Sequence, residues 1–152
     1  MTTREPARSR QQRRQDALDR LENDADAWFA TASADGEPCL VPLSFVQYEG
    51  DLVICTRSTN PTARNLTPSG RVRVTLGHTR DVVLIEGTAE PVTADTLTPV
   101  ADAFAAKLDW DPRAEKPYVY LRVTPQVVQA WREVNELAGR ELMRDGRWLD
   151  LD

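Results

Sequence analysis

Residues 38–57 read PCLVPLSFVQYEGDLVICTR, and this stretch decides the fold. Two runs rich in aliphatic, β-branched and aromatic residues flank Glu49-Gly50, a pair suited to a tight hairpin loop. A two-residue loop sets Tyr48 opposite Asp51 and so determines the register. Phe45 then opposes Ile54, Leu43 opposes Thr56, and Pro42 opposes Arg57. Because side chains alternate along a strand, Val41, Leu43, Phe45, Leu52 and Ile54 share one apolar face. Pro42, Ser44, Cys55 and Arg57 share the other, a mixed polar face suited to a site or an interface.

The same period of two extends on both sides of the hairpin. Ala27–Ser33 reads as a strand ended by the Ala34-Asp35-Gly36-Glu37 turn. Arg71–Leu76 reads as another, with Val72, Val74 and Leu76 inward, and the turn from Gly77 to Asp81 leads to a fifth over Val82–Val92. A sixth covers Tyr118–Val123 and resumes after Pro125 through Trp131. Between strands, Asn60 is a good cap and Pro61 a good first residue for a short helix over Pro61–Leu66. Thr93–Leu108 reads as a helix capped by Thr93, with an apolar stripe at Leu97, Val100, Ala101, Phe104 and Leu108. Upstream, Ala17, Leu18 and Leu21 predict a short amphipathic helix over Asp16–Asn23. Residues 1–14, with Arg4, Arg8, Arg10, Arg13 and Arg14, read as a flexible solvated arm preceding one domain over 15–152. In the tail from Glu133, Asp145-Gly146 marks a turn between short apolar stretches. Six strands with tight turns and no βαβ alternation predict a mainly β, closed or half-closed antiparallel barrel.

Composition narrows the function. Apolar residues make up 41% of the 152, ordinary for a globular protein, and no run of eighteen apolar residues exists to span a membrane. The polar N-terminus lacks a secretory h-region, so a cytoplasmic protein is expected. A net charge of −5 argues against general nucleic-acid binding. Cys39 and Cys55 lie in strand patterns and offer neither a metal spacing nor a disulfide framework. His78 is the only histidine and sits in a turn, which excludes histidine triads and multi-histidine metal sites. No Walker loop or dinucleotide fingerprint is present. No catalytic side chain stands out, so any chemistry belongs to a bound cofactor.

The most informative chemistry is TRSTNPTARNL, residues 56–66. It follows a strand and opens a helix, bringing Arg57, Arg64, several hydroxyls and free backbone N–H groups together. Those are the parts of an anion site. They are equally the parts of a capped connector whose arginines face solvent, and local chemistry leaves both readings open.

WFATASADGEP at 28–38, followed by Val41-Pro42-Leu43-Ser44-Phe45, resembles the opening of pyridoxamine 5′-phosphate oxidase-like proteins. Ala63-Arg64-Asn65-Leu66 with Arg71-Val72, and Val128-Gln129-Ala130-Trp131-Arg132, are similar to later parts of that family, so the likeness spans roughly 25 to 132. The resemblance implies a six-stranded antiparallel split β-barrel of the FMN-binding type, forming a homodimer with two cofactor sites at the interface. The implied cofactor is FMN or the deazaflavin coenzyme F-420, and the abundance of Arg over Lys, as in GC-rich genomes, leans toward F-420. The implied activity is hydride transfer to a small organic acceptor. Members that bind haem suggest an alternative, a non-catalytic flavin-, deazaflavin- or haem-binding dimer. Carried onto this chain, the family's phosphate contacts fall on Thr56, Arg57, Ser58, Thr62, Arg64 and Asn65. Ser44 would lie along the ring, and Trp131 would wall the partner subunit's pocket or pack at the interface. Thr62 stands where many members carry Lys, and the longer substrate-binding C-terminus of true pyridoxamine phosphate oxidases has no counterpart.

Overall fold

Helix α1 (Arg10–Asn23) leads into β1 (Asp26–Ala32), β2 (Pro38–Tyr48) and β3 (Asp51–Arg57), and the short α2 (Pro61–Asn65) follows. Next come β4 (Gly70–Leu76), β5 (Val82–Pro91), α3 (Leu97–Leu108), β6 (Tyr118–Trp131) and a terminal hairpin of β7 (Glu141–Arg144) and β8 (Arg147–Trp148). The structure is a computed structural model that describes residues 5–115 and 117–151. Of the expected N-terminal arm, Met1 to Arg4 lie outside the described residues.

The hairpin that decides the fold forms in the register its loop dictates. Glu49 and Gly50 take φ of 51° and 82°, the left-handed pair of a two-residue loop, and Tyr48 pairs with Asp51 and Phe45 with Ile54. There the ladder stops. The expected pairs Leu43–Thr56 and Pro42–Arg57 do not form, because each strand exchanges this neighbour for another. β2 continues along β1 from Ser44↔Asp26 to Pro38↔Ala32, while β3 continues along β6 from Leu52↔Val123 to Arg57↔Tyr118. This exchange closes an antiparallel six-stranded barrel in the order β3-β2-β1-β4-β5-β6, with β7 and β8 appended to β6.

Inside the barrel pack Phe29, Phe45, Leu52, Ile54, Val74, Ile85 and Leu121, all fully buried, and Ala17 and Leu21 of α1 join the same core. A second core lies outside the barrel wall. Val53, Cys55 and Tyr120 face outward from β3 and β6 and are covered by Val100, Ala101 and Phe104 of α3. The Phe104 ring meets Tyr120 edge-on at 5.5 Å and Trp110 at 5.7 Å. The face of β3 read as mixed polar is therefore apolar in its middle and polar at its two ends, Asp51 and Arg57.

Several boundaries shift by one residue, and three differences from the sequence reading are larger. α1 starts at Arg10 rather than Asp16, because Ser9 caps it by accepting from the Gln12 N–H at 3.1 Å. Among the described residues, arginines read as solvated are held. Arg13 is buried and donates to the carbonyls of Glu136 and Ala130, and Arg8 forks onto the Glu136 carboxylate. α3 starts at Leu97 rather than Thr93, since Pro99 lacks an N–H and is tolerated only in a helix's first turn. β6 runs unbroken through Pro125, which sits opposite Gly87 at a bulge of the β5–β6 ladder. Pro125 also lies beyond the last β3 pair and before the first β7 pair, so its missing donor costs no ladder bond on that side.

Candidate functional site

The parting of β2 and β3 opens a fork, and the fork is a cleft of about 470 Å³. Pro42, Leu43 and Ser44 line one prong and Cys55, Thr56 and Arg57 the other, with Asp26, Asn60, Trp110 and Tyr118 completing it. Arg57 is exposed and makes no ion pair among the described residues; its guanidinium lies 5.6 Å from the centroid of the Tyr118 ring. Tyr118 in turn meets Trp110 edge-on at 5.3 Å, giving one aromatic wall. Ser44 donates its hydroxyl proton to the Asp26 carboxylate at 2.5 Å, across the β1–β2 pair that the two residues form. Asn60 donates its side-chain amide to the Thr56 hydroxyl at 2.8 Å, leaving the Thr56 proton free to point into the cleft.

The back of the fork is neutral. Burial, then the nearby charge of Glu115, pushes the Cys55 thiol up to about 12, so it stays protonated and is no nucleophile. Tyr120, its cross-strand partner, is likewise pushed up to about 12, chiefly by burial, and its hydroxyl has no partner among the described residues. Cys39, likewise a free cysteine, is half-buried.

A larger cleft of about 870 Å³ runs over the outer surface of β1, β4 and β5. Arg64 and Asn65 at the end of α2, Arg71 and Arg73 of β4, Glu86 of β5 and Gln126 line it. Asn65 donates to the Thr31 hydroxyl at 3.0 Å, and Arg73 pairs with Glu86 at 2.8 Å.

The cluster expected over residues 56–65 is thus divided. Ser44, Thr56 and Arg57 meet in the fork; Arg64 and Asn65 face the other cleft. Thr62 is 2% exposed, with its hydroxyl 3.8 Å from the Cys39 sulfur, so it faces protein rather than either cleft. Ser58 is exposed and lines neither, its N–H held by the Pro117 carbonyl at 2.8 Å. Trp131 pairs with Val82 at the end of β6 opposite Tyr118 and also lines neither. α2 has five residues, too few for the helix-terminus field invoked from the sequence. Asp26, Trp110 and Tyr118 join the fork from outside the expected set, and Asn60, expected as a helix cap, also lines it. Pro42 and Ser44 flag one prong and Cys55, Thr56 and Arg57 the other, but nothing local in the chain announces that β6 brings Tyr118 alongside Arg57.

The donors in the fork suit a phosphorylated flavin-type molecule: one guanidinium and one free hydroxyl for the phosphate, and an aromatic wall for a planar ring. Among the described residues no group of His, Cys, Asp or Glu could hold a metal ion, and no helix is long and apolar enough to cross a membrane.

Residues 15–132 match the family described as pyridoxamine 5′-phosphate oxidase. No curated protein matches the chain. Among solved structures, a conserved hypothetical protein from Mycobacterium tuberculosis superposes with a TM-score of 0.69 at 18% identity, covering 89% of this chain and 92% of that one. General stress protein 26 from Bacillus anthracis gives 0.60 at 20% identity, over 75% and 89%. A haem-binding protein from Mycobacterium smegmatis gives 0.67 at 18% identity, over 95% and 60%. Likeness at these identities concerns the fold.

Proposed function

The chain belongs to the pyridoxamine 5′-phosphate oxidase family, and from that premise we propose that it is a flavin-type oxidoreductase using FMN or the deazaflavin coenzyme F-420. The observation that carries the reading is the fork itself, where an exposed Arg57, with no ion pair among the described residues, and the Thr56 hydroxyl stand beside the Trp110–Tyr118 wall. Arg57 and Thr56 would hold the phosphate, and Ser44 and Pro42 would lie along the ring. When bound, the cofactor supplies hydride transfer to a small organic acceptor. The chain's own part is to fix the phosphate, set the ring against β2 and keep the back of the fork neutral.

A homodimer and a cytoplasmic location belong to the same reading. Trp28, Leu40 and Pro42 project outward from paired positions of β1 and β2, and Trp28 and Leu40 are 48% and 63% exposed. An exposed apolar strip of this kind, between the two clefts, suits a second copy. It would place both clefts near the interface and is the only route by which Trp131 could reach a cofactor.

A second reading is a non-catalytic flavin-, deazaflavin- or haem-binding dimer. One feature favours it: among the described residues the only carboxylate lining the fork, Asp26, is occupied by Ser44. His78, in the β4–β5 turn, accepts from the Arg80 N–H and lies in neither cleft, so haem would lack a histidine ligand there. Fluorescence titration with FMN and with F-420 tests the leading reading, and affinity weaker than about millimolar for both would sink it. Oxidation of the bound, reduced cofactor by added acceptors then separates the enzyme from the carrier.

A further inference from the structure

The larger cleft has a charge pattern that the flavin reading does not use. Nearly every described arginine is committed to a carboxylate, a carbonyl or an aromatic ring. Arg64, Arg71 and Arg147 are the exceptions, with no such partner among the described residues, and two of these three line one cleft. Arg73 stands two residues from Arg71 on the same outward face of β4, about 7 Å along the strand. Its ion pair with Glu86 is 61% and 36% exposed at the two side chains, a kind of surface pair that contributes little and is readily exchanged. The cleft therefore presents three guanidinium groups against one carboxylate on a chain whose net charge is −5. Such a local reversal of sign focuses anions at one place.

Hydroxyls supply the uncharged donors. Thr31, Ser69 and Thr88 edge the cleft, as does Ser33, whose hydroxyl proton is already committed to the Asp35 carboxylate. Asn65 donates to the Thr31 oxygen, which leaves the Thr31 proton as a donor. Arg64 comes from α2, while Arg71 and Arg73 come from β4, so the charges converge from two elements rather than along one helix or strand.

We propose that this groove is a binding site, separate from the fork, for an oligoanion: a molecule with two or more closely spaced phosphate or carboxylate groups. Arg64 and Arg71 are its anchors, and Arg73 exchanges Glu86 for the ligand. A single monovalent anion satisfies only one of the forks, so affinity rises with the number of charges on the ligand.

The test is calorimetric titration of the full chain with inorganic pyrophosphate, citrate and acetate at low and moderate salt. Pyrophosphate or citrate binds, acetate does not, and salt weakens the binding; which of the two binds tighter separates a phosphate ligand from a carboxylate one. The double variant Arg64→Ala/Arg71→Ala loses at least tenfold in that affinity, while Arg147→Ala, the third unpartnered arginine, leaves it unchanged. FMN affinity is the same in the double variant as in the native chain, which separates this site from the fork. If neither FMN nor F-420 binds at all, the flavin reading fails, while loss of pyrophosphate or citrate binding in the double variant still supports this site. Absence of binding by both polyanions overturns the proposal, as does equal loss in Arg147→Ala or displacement of pyrophosphate by FMN.

Discussion

Ser44 and Asp26 face each other across β1 and β2, and the Ser44 hydroxyl is committed to the Asp26 carboxylate at 2.5 Å. An ionised carboxylate only accepts, so the serine's single proton is spent and its oxygen is left to accept from a ligand. Ser44→Ala should weaken flavin binding by about 0.5–1.5 kcal/mol, the scale of one neutral hydrogen bond, with unfolding unchanged. Asp26→Asn should cost less, because Ser44 remains and merely regains its rotation. Fluorescence titration of both variants checks this; unaltered affinity in Ser44→Ala would remove Ser44 from the site.

Arg57 and Arg64, close in sequence, occupy different clefts. Arg57→Ala should weaken FMN or F-420 binding by about 1–3 kcal/mol, as expected for a hydrogen bond to a charged group. Arg64→Ala should leave that affinity within experimental error. Both side chains are exposed, so the melting temperature should hold in each. The reverse order of effects would move the phosphate to the outer groove.

Glu136 is 2% exposed, and its carboxylate accepts from Arg8 and from the Arg132 N–H. Burial alone would raise its pKa, but these bonds win and hold it down to about 2, from 4.5. Between those values the unfolded chain binds more protons than the folded one, so stability falls as pH drops through that window. The depression corresponds to about 3 kcal/mol, fully present above the unfolded value and lost near pH 2. Urea unfolding across the acid range should show this slope in the native chain and a shallower one in Glu136→Gln, which starts from lower stability.

Gly87 sits at the β5–β6 bulge opposite Pro125, and an added Cβ would lie 2.5 Å from the Thr124 carbonyl oxygen. Backbone must move to admit it. Gly87→Ala should destabilise the barrel by about 1–3 kcal/mol, the usual cost of overpacking, as read from chemical denaturation. Gly36→Ala is the contrast, since nothing lies within 4 Å of its Cβ position and only its φ of 88° opposes the change.

Much of this barrel is visible in local pattern. The bounds of β2 and β3 and the register at Tyr48–Asp51 follow from alternation and from a loop that only two residues can make. The helix starts were harder. Ser9 as a cap for α1 was hidden behind an arginine-rich stretch that reads as solvated, because a guanidinium bonded to backbone carbonyls has the same sequence as one in water. Likewise Cys55 looked like part of a polar face until α3 covered it.

Alternation and turn chemistry settled the strands and their hairpin pairings, since each depends on interactions a few residues long. The division of residues 56–65 between two clefts depends on contacts far apart in the chain. Arg57 meets Tyr118 because β3 leaves β2 for β6, and Arg64 meets Arg71 and Arg73 because α2 ends beside β4. Closing a barrel requires each strand to find its second neighbour across long loops, and no local propensity encodes which one it will be.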